Sequence, residues 1–173
     1  MKKISLFVSI LCLVMSACSS DDDGGNTITG DIVGTWNVTK LDLTGEIQAE
    51  VSGTPISSSV TGEGFDLDNS LVTFNESPSS IESEGTISMR LTYSLNGTEL
   101  TEEIEDFEFL EGGTWELNGN TLIITEAGEE TEVEILTLTD TELVIKVYEE
   151  ETEIEDDEAI TSTFVLEASF KRV

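Results

Sequence analysis

In this chain of 173 residues, 37 acidic side chains outnumber seven basic ones, giving a formal charge of −30 at pH 7. Such a polyanion has no basic footprint for a nucleic acid backbone and no attraction to the surface of anionic lipid. Histidine is absent and only two cysteines occur, which excludes Ser–His–Asp and Cys–His nucleophilic catalysis and leaves zinc no ordinary ligand set.

The first residues give an address. Lys2 and Lys3 precede an apolar run from Ile4 to Met15 that is broken only by Ser5 and Ser9, and Ser16-Ala17 follow. A basic start, a short apolar run and a small-residue processing site define a secretory signal, too short for the roughly 20 residues of a permanent bilayer span. The run Leu13-Val14-Met15-Ser16-Ala17-Cys18 resembles the lipobox of bacterial lipoproteins, with Met15 where Leu is commonest. That resemblance implies cleavage before Cys18 and acylation of Cys18, which anchors the mature N-terminus in a membrane. The following Ser19-Ser20-Asp21-Asp22-Asp23 resembles the export signal that carries lipoproteins of Bacteroidota to the outer face of the outer membrane; the periplasmic leaflet is the alternative. Gly24, Gly25 and Asn26 prolong a tether whose composition buries no apolar surface. Cys12 leaves with the signal and Cys18 is acylated, so no thiol remains for a disulfide. The chain thus divides into a signal peptide over 1–17, an acylated cysteine and acidic tether over 18–29, and one domain over 30–173.

From Ile32 onward the apolar residues alternate and show no helical period. The first strand spans Ile32 to Leu43, with Ile32, Gly34, Trp36 and Val38 on one face. A loosely patterned region from Glu46 to Glu63 follows, with Pro55 in it; Pro78 falls in a second Ser-rich connection. Asp66-Leu67-Asp68-Asn69 reads as a turn into the strand Leu71-Val72-Thr73-Phe74. Ile87, Met89, Leu91, Tyr93 and Leu95 then alternate with polar residues up to Asn96-Gly97, a type I′ turn. That register sets Tyr93 opposite Leu100, Met89 opposite Ile104 and Arg90 opposite Glu103. It also puts Glu102 on the apolar face opposite Leu91, which suits a solvated cavity or a strand end.

A second hairpin turns at Gly119-Asn120, pairing Leu117 with Leu122 and Trp115 with Ile124. A third joins Ile135–Leu138 to Leu143–Tyr148 through Thr139–Glu142, and the apolar phase slips at Leu136, which predicts a bulge. The acidic run from Glu149 to Glu158 matches no EF-hand spacing and reads as a long, self-repelling loop, with weak calcium binding as the alternative. The last strand carries Phe164, Leu166, Ala168, Phe170 and Arg172 on one face. About eight antiparallel strands of this kind close into an up-and-down β-barrel, wide enough for packed side chains or one small ligand. A β-sandwich is the alternative.

Ile32-Val33-Gly34-Thr35-Trp36, Gly113-Thr114-Trp115-Glu116-Leu117-Asn118-Gly119-Asn120-Thr121-Leu122, and Ile135–Thr139 with Leu143-Val144-Ile145 resemble, in that order and spacing, the lipocalin-like domains of Bacteroidota lipoproteins. The resemblance implies an all-β barrel over most of residues 30–173. It also implies that Trp36 of the Gly-x-Trp motif packs at the barrel floor beneath a basic residue of the last strand, here Arg172. The weak pattern from Glu46 to Ser70 is the departure.

Function is then confined to binding. No Gly-rich phosphate loop precedes a helix and no cofactor motif occurs. Carboxylate catalysis of the glycosidase type needs a pair that stands out, and none does; the expectation is a protein that is not an enzyme. Trp36, Met89, Leu91, Tyr93, Trp115 and Phe164, with Glu102, are candidates to line a pocket for a small lipophilic molecule; a sealed core is the plain alternative. In the sealed case the protein is a structural or accessory surface protein that meets a protein or glycan partner through its loops.

Overall fold

Alternating sequence yields twelve strands and, among the described residues, no helix: β1 Thr27–Ile28, β2 Gly34–Val51, β3 Thr54–Phe65, β4 Leu71–Glu76, β5 Ser79–Glu84, β6 Ser88–Leu95, β7 Thr98–Ile104, β8 Thr114–Asn118, β9 Thr121–Glu126, β10 Glu129–Leu138, β11 Glu142–Glu155 and β12 Glu158–Arg172. This computed structural model describes residues 26–51, 53–107, 109–110, 112–155 and 158–173. The signal over 1–17, Cys18 and the Ser19–Asp23 run lie outside the described residues. The chain joins the sheet at Thr27, within the segment read as tether, where β1 pairs in parallel with Thr137 and Leu138 of β10.

One antiparallel sheet runs in the order β7-β6-β3-β2-β12-β11-β10-β9-β8, and β4 pairs with both β2 and β5. Strand β2 governs the architecture. Its first residues, Gly34–Asn37, pair with β4, while Asp42–Val51 pair with β3. One branch, β2-β4-β5, curls back towards β8; the other, β3-β6-β7, extends the sheet outward. Between β5 and β8 there is no ladder among the described residues, only the bond from Ile81 N–H to the Gly113 carbonyl at 3.0 Å. The sheet has twelve strands where about eight were expected, and among the described residues it is not closed, so β7 and β8 remain as edges. Two branches thus pair with successive stretches of β2, and the outer one takes the longer stretch.

The expected hairpins are present in the expected registers. Tyr93 faces Leu100, Met89 faces Ile104 and Glu102 faces Leu91, and Asn96 and Gly97 take φ of 51° and 79° as a type I′ turn requires. Leu117 pairs with Leu122 and Trp115 with Ile124, with Gly119 at φ 66°. The ladder between β10 and β11 skips Leu136, so Ile135 and Leu138 are both fully buried. A matching slip at Thr39 of β2 keeps Val38 and Leu41 both inside. Each bulge resets the inward phase of its strand.

Three expectations are corrected. The weakly patterned region after Leu43 is a long paired ribbon, since β2 continues to Val51 and β3 lies beside it in register from Val51–Thr54 to Asp42–Glu63. Pro55 accordingly sits inside β3, opposite Glu50, rather than in a connection. Most of the acidic segment is strand rather than loop: Glu149 to Glu155 continue β11 and pair residue by residue with β12, Glu149 facing Phe164 and Glu153 facing Ile160. Its partner strand supplies Ile160, Thr161, Thr163 and Phe164, whose β-branched and aromatic side chains favour extended pairing.

Ile32, Trp36, Val38, Phe74, Met89, Leu122, Ile135, Leu138, Leu143, Ile145, Ala168 and Phe170 form the floor of the core. Pairing carries the inward face upward from that floor. Leu43 faces Leu166, and Leu166 faces Val147; one step further out, Gly45 faces Phe164 and Phe164 faces Glu149.

Candidate functional site

Apolar side chains give way to polar ones along each strand above the floor, and a cavity lies at that transition. The β10–β11 ladder reaches only Val133–Val147. Beyond it β10 pairs with β9 and β11 with β12, so two hairpins part. Between them opens a cavity of about 370 Å³ lined by Leu43, Ile124, Val133, Val147, Phe164 and Leu166 from five strands. Its remaining wall is the irregular segment between β7 and β8, which contributes Phe107, Phe109, Leu110 and Gly112. Glu126, Thr131 and Glu149 complete the lining, and all three are exposed.

Local structure holds these walls in place. Gly45 leaves room for Phe164, because a Cβ on residue 45 would overlap the Phe164 ring and the Thr163 carbonyl. The segment 105–110 turns through Asp106 and Leu110, with φ of 56° and 53°, conformations uncommon for side chains of this type. Two hydrogen bonds fasten it: Phe107 N–H donates to the Ile87 carbonyl at 2.7 Å, and the Ser83 hydroxyl donates to the Leu110 carbonyl. Phe109 stacks on Phe170 of the core with ring centres 6.3 Å apart.

The residues expected to line a pocket are divided by the structure. Phe164 is in the cavity wall. Met89 and Leu91 are buried in the core, and Tyr93 packs against it. Trp115 meets Phe74 edge-on at 6.1 Å, and its Nε1 donates to the Asn75 carbonyl at 2.9 Å. Glu102 is exposed on edge strand β7. Sequence reasoning passed over the rest of the apolar lining, both the strand residues Leu43, Ile124, Val133, Val147 and Leu166 and the irregular wall of Phe107, Phe109 and Leu110. The one signal for that wall was Phe and Leu recurring within the acidic stretch before Gly112-Gly113.

At the opposite end the structure brings Trp36 and Arg172 together. The guanidinium carbon lies 4.3 Å from the ring centre, Nη1 donates to the Val33 carbonyl at 2.8 Å, and Nη2 donates to the Asp31 carbonyl. Trp36 Nε1 donates to the Ile32 carbonyl at 2.8 Å. Gly34 makes this approach feasible: its φ is +138°, and a Cβ there would stand 2.5 Å from Arg172 Nη1.

Charge is distributed unevenly about the cavity, which no basic residue lines among the described residues. Lys40 pairs with Asp42, which raises the lysine's pKa through their hydrogen bond and its charge. Arg90 pairs with Glu103 at 2.8 Å. Lys146 and Tyr148 border a shallower polar groove on the outer face, with Glu132 and Glu134. Tyr148 donates to Glu150 at 2.7 Å, and that hydrogen bond raises its pKa.

An antiparallel sheet wrapped around an apolar floor, with a cavity above it, defines a barrel-type domain in which the interior is the candidate site. The lipocalin-like domain family matches residues 32–145, and the chain belongs to that family. The match takes in the Gly-x-Trp motif and all strands from β2 to β10, and stops within β11, so Glu149, Phe164, Leu166 and Arg172 lie beyond it. No curated protein and no solved structure matches the chain.

Proposed function

We propose that this protein is a lipid-anchored lipoprotein of the outer membrane, displayed at the cell surface, whose lipocalin-like domain binds a small lipophilic molecule without transforming it. The observation that carries the binding reading is the cavity itself. At about 370 Å³ it falls within the roughly 300–1,000 Å³ of small-molecule sites, and its lining is mostly aliphatic and aromatic with a few polar groups, as such sites require. Each methylene moved from water into such a wall contributes about 0.8 kcal/mol, so a body of about ten carbons sets an upper bound near micromolar affinity.

The test is a fluorescence titration with N-phenyl-1-naphthylamine, a neutral lipophilic probe. Saturable enhancement at one probe per chain is expected, reduced by about tenfold or more in affinity when Thr131→Trp fills the cavity mouth. Enhancement that is absent, or indifferent to that substitution, removes the binding reading.

Anchoring is supported by the Leu13–Cys18 run and by the acidic residues Asp21–Asp23 after it. The periplasmic leaflet is the alternative address. Labelled palmitate fed to expressing cells is expected to enter the wild type and not Cys18→Ala; equal labelling of both would sink the anchor. A second reading, contact with a protein or glycan partner, draws on Ile56, Leu95 and Leu100, which are 38 %, 41 % and 67 % exposed. They continue the inward face of the outer branch, and that reading takes over if the probe finds no cavity.

A further inference from the structure

We infer that the ligand is a lipophilic cation, an aliphatic or aromatic body carrying an ammonium group; this rests on the cavity reading and deepens it. The argument is the order of residues along the strands that form the walls. Side chains alternate in a strand, so every second residue points inward. On β9 the inward sequence from floor to mouth is Leu122, Ile124, Glu126. On β10, which pairs Val133 with Leu122, Thr131 with Ile124 and Glu129 with Glu126, it is Val133, Thr131, Glu129. On β11 it is Ile145, Val147, Glu149, Glu151, following the partners Ala168, Leu166, Phe164 and Ser162 on β12. Outward from the level of Leu122, Val133 and Val147, all three neighbouring strands thus reach glutamate. Strand β11 does so first at Glu149, level with Thr131 and Ile124, and β9 and β10 follow one inward step later at Glu126 and Glu129. Two of these, Glu126 and Glu149, are themselves lining residues of the cavity.

Among the described residues, no basic side chain lines the cavity beside them. Lys40 is engaged with Asp42 and Arg90 with Glu103. Arg172 is committed to the floor over Trp36, Lys146 borders the outer groove, and Lys171 is paired in the ladder beside Glu142 and Asn37, near the floor. An apolar body seated in the cavity places its polar end among these carboxylates. There a fatty carboxylate meets like charge beside low-dielectric walls, and an ammonium meets opposite charge. The phenylalanines of the wall, Phe107, Phe109 and Phe164, add ring faces to which an ammonium is also attracted.

The experiment displaces N-phenyl-1-naphthylamine from the protein with three twelve-carbon competitors of one shape: dodecylamine, dodecanol and dodecanoate. Dodecylamine is expected to compete at concentrations about tenfold or more below dodecanoate, with dodecanol between them. Raising NaCl from about 20 mM to about 500 mM is expected to shrink the gap, since salt screens exposed charge. The double substitution Glu126→Gln with Glu149→Gln is expected to bring the ratio of amine to alcohol affinity down by about fivefold or more. It removes only two of 37 acidic residues, so it separates attraction at the mouth from attraction to the polyanion as a whole.

Probe displaced equally by amine and carboxylate, or more readily by carboxylate, overturns the inference and leaves the cavity reading standing. A ratio unmoved by both salt and the double substitution also overturns it. Failure of the probe and of dodecanol to bind at all removes the cavity reading beneath it.

Discussion

Arg172 does three things at once, and each depends on a neighbour chosen for it. The guanidinium covers the Trp36 ring, donates to the carbonyls of Val33 and Asp31, and lies directly over residue 34, where a Cβ would displace Nη1 and φ of +138° favours glycine. The Gly-x-Trp motif is thereby explained physically: glycine admits the cation and tryptophan receives it. The cation–π contact contributes about 0.5–2 kcal/mol, and hydrogen bonds from a charged donor about 1.5–3 kcal/mol each before the entropy of holding the side chain. Arg172→Ala is therefore expected to destabilise the domain by about 2–3 kcal/mol. Arg172→Lys keeps a charge above the ring but loses the planar fork that reaches two carbonyls, so about half of that loss should persist. Urea unfolding followed by tryptophan fluorescence reads both. If Arg172→Ala unfolds at the wild-type midpoint, the contact is geometry without energetic consequence.

Strands were legible wherever alternation and turn chemistry agreed. Asn96-Gly97 and Gly119-Asn120 fix φ locally, and the apolar residues around each turn permit one register only, so both hairpins can be read from the sequence and both are found. The slip at Leu136 was visible for the same reason. The ribbon beyond Leu43 was not. Gly45, Ala49, Ser57, Ser58, Ser59, Gly62 and Gly64 have little preference for extended structure, and they are strands because β2 and β3 pair with each other, β12 flanks β2, and β6 flanks β3 from Ser59 onward. Strand β5, Ser79–Glu84, escaped notice likewise: Ile81 is its one core residue, and its pairing with β4 makes it a strand.

The acidic hairpin misled for a different reason. A run of like charges resembles a solvated loop, yet Thr152 and Thr161 face each other across the ladder with hydroxyls 3.1 Å apart. Pairing offsets repulsion there. The candidate site was the least legible level of all. Phe164 was found because it continues a regular stripe, whereas Phe107, Phe109 and Leu110 belong to an irregular segment whose path is set by left-handed residues and by bonds to Ser83 of β5 and to Ile87 just before β6. Periodicity has nothing to report on such a wall. Edges show the reverse logic: β7 carries Glu99, Glu102 and Glu103 among seven residues, and charge on an open edge discourages another strand from pairing with it.

Over the whole molecule, a formal charge of −30 sets a cost that the core must offset. Alternate residues of one strand face the same side about 7 Å apart. Two unit charges at that distance in water repel by about 0.6 kcal/mol. Glu149, Glu151 and Glu153 stand in such a file on β11, bordered by Phe164, Ser162 and Ile160, none of which is basic. The separation is shorter than the Debye length of about 10 Å at 0.1 M salt and longer than the about 3 Å at 1 M. Salt should therefore stabilise the fold by screening: between about 20 mM and about 1 M NaCl, Tm is expected to rise by about 5 °C or more. Screening depends on ionic strength alone, whereas a built cation site also depends on the ion. The file of glutamates lies on an extended strand, where carboxylates diverge along a line and cannot gather the six to eight oxygens that calcium takes. Calcium chloride at matched ionic strength should accordingly raise Tm no further than NaCl does. An extra increment that saturates at millimolar calcium would show that the hairpin and the neighbouring Glu126–Glu129 turn bend together around an ion, and the acidic mouth would then belong to calcium before it belonged to any ammonium ligand.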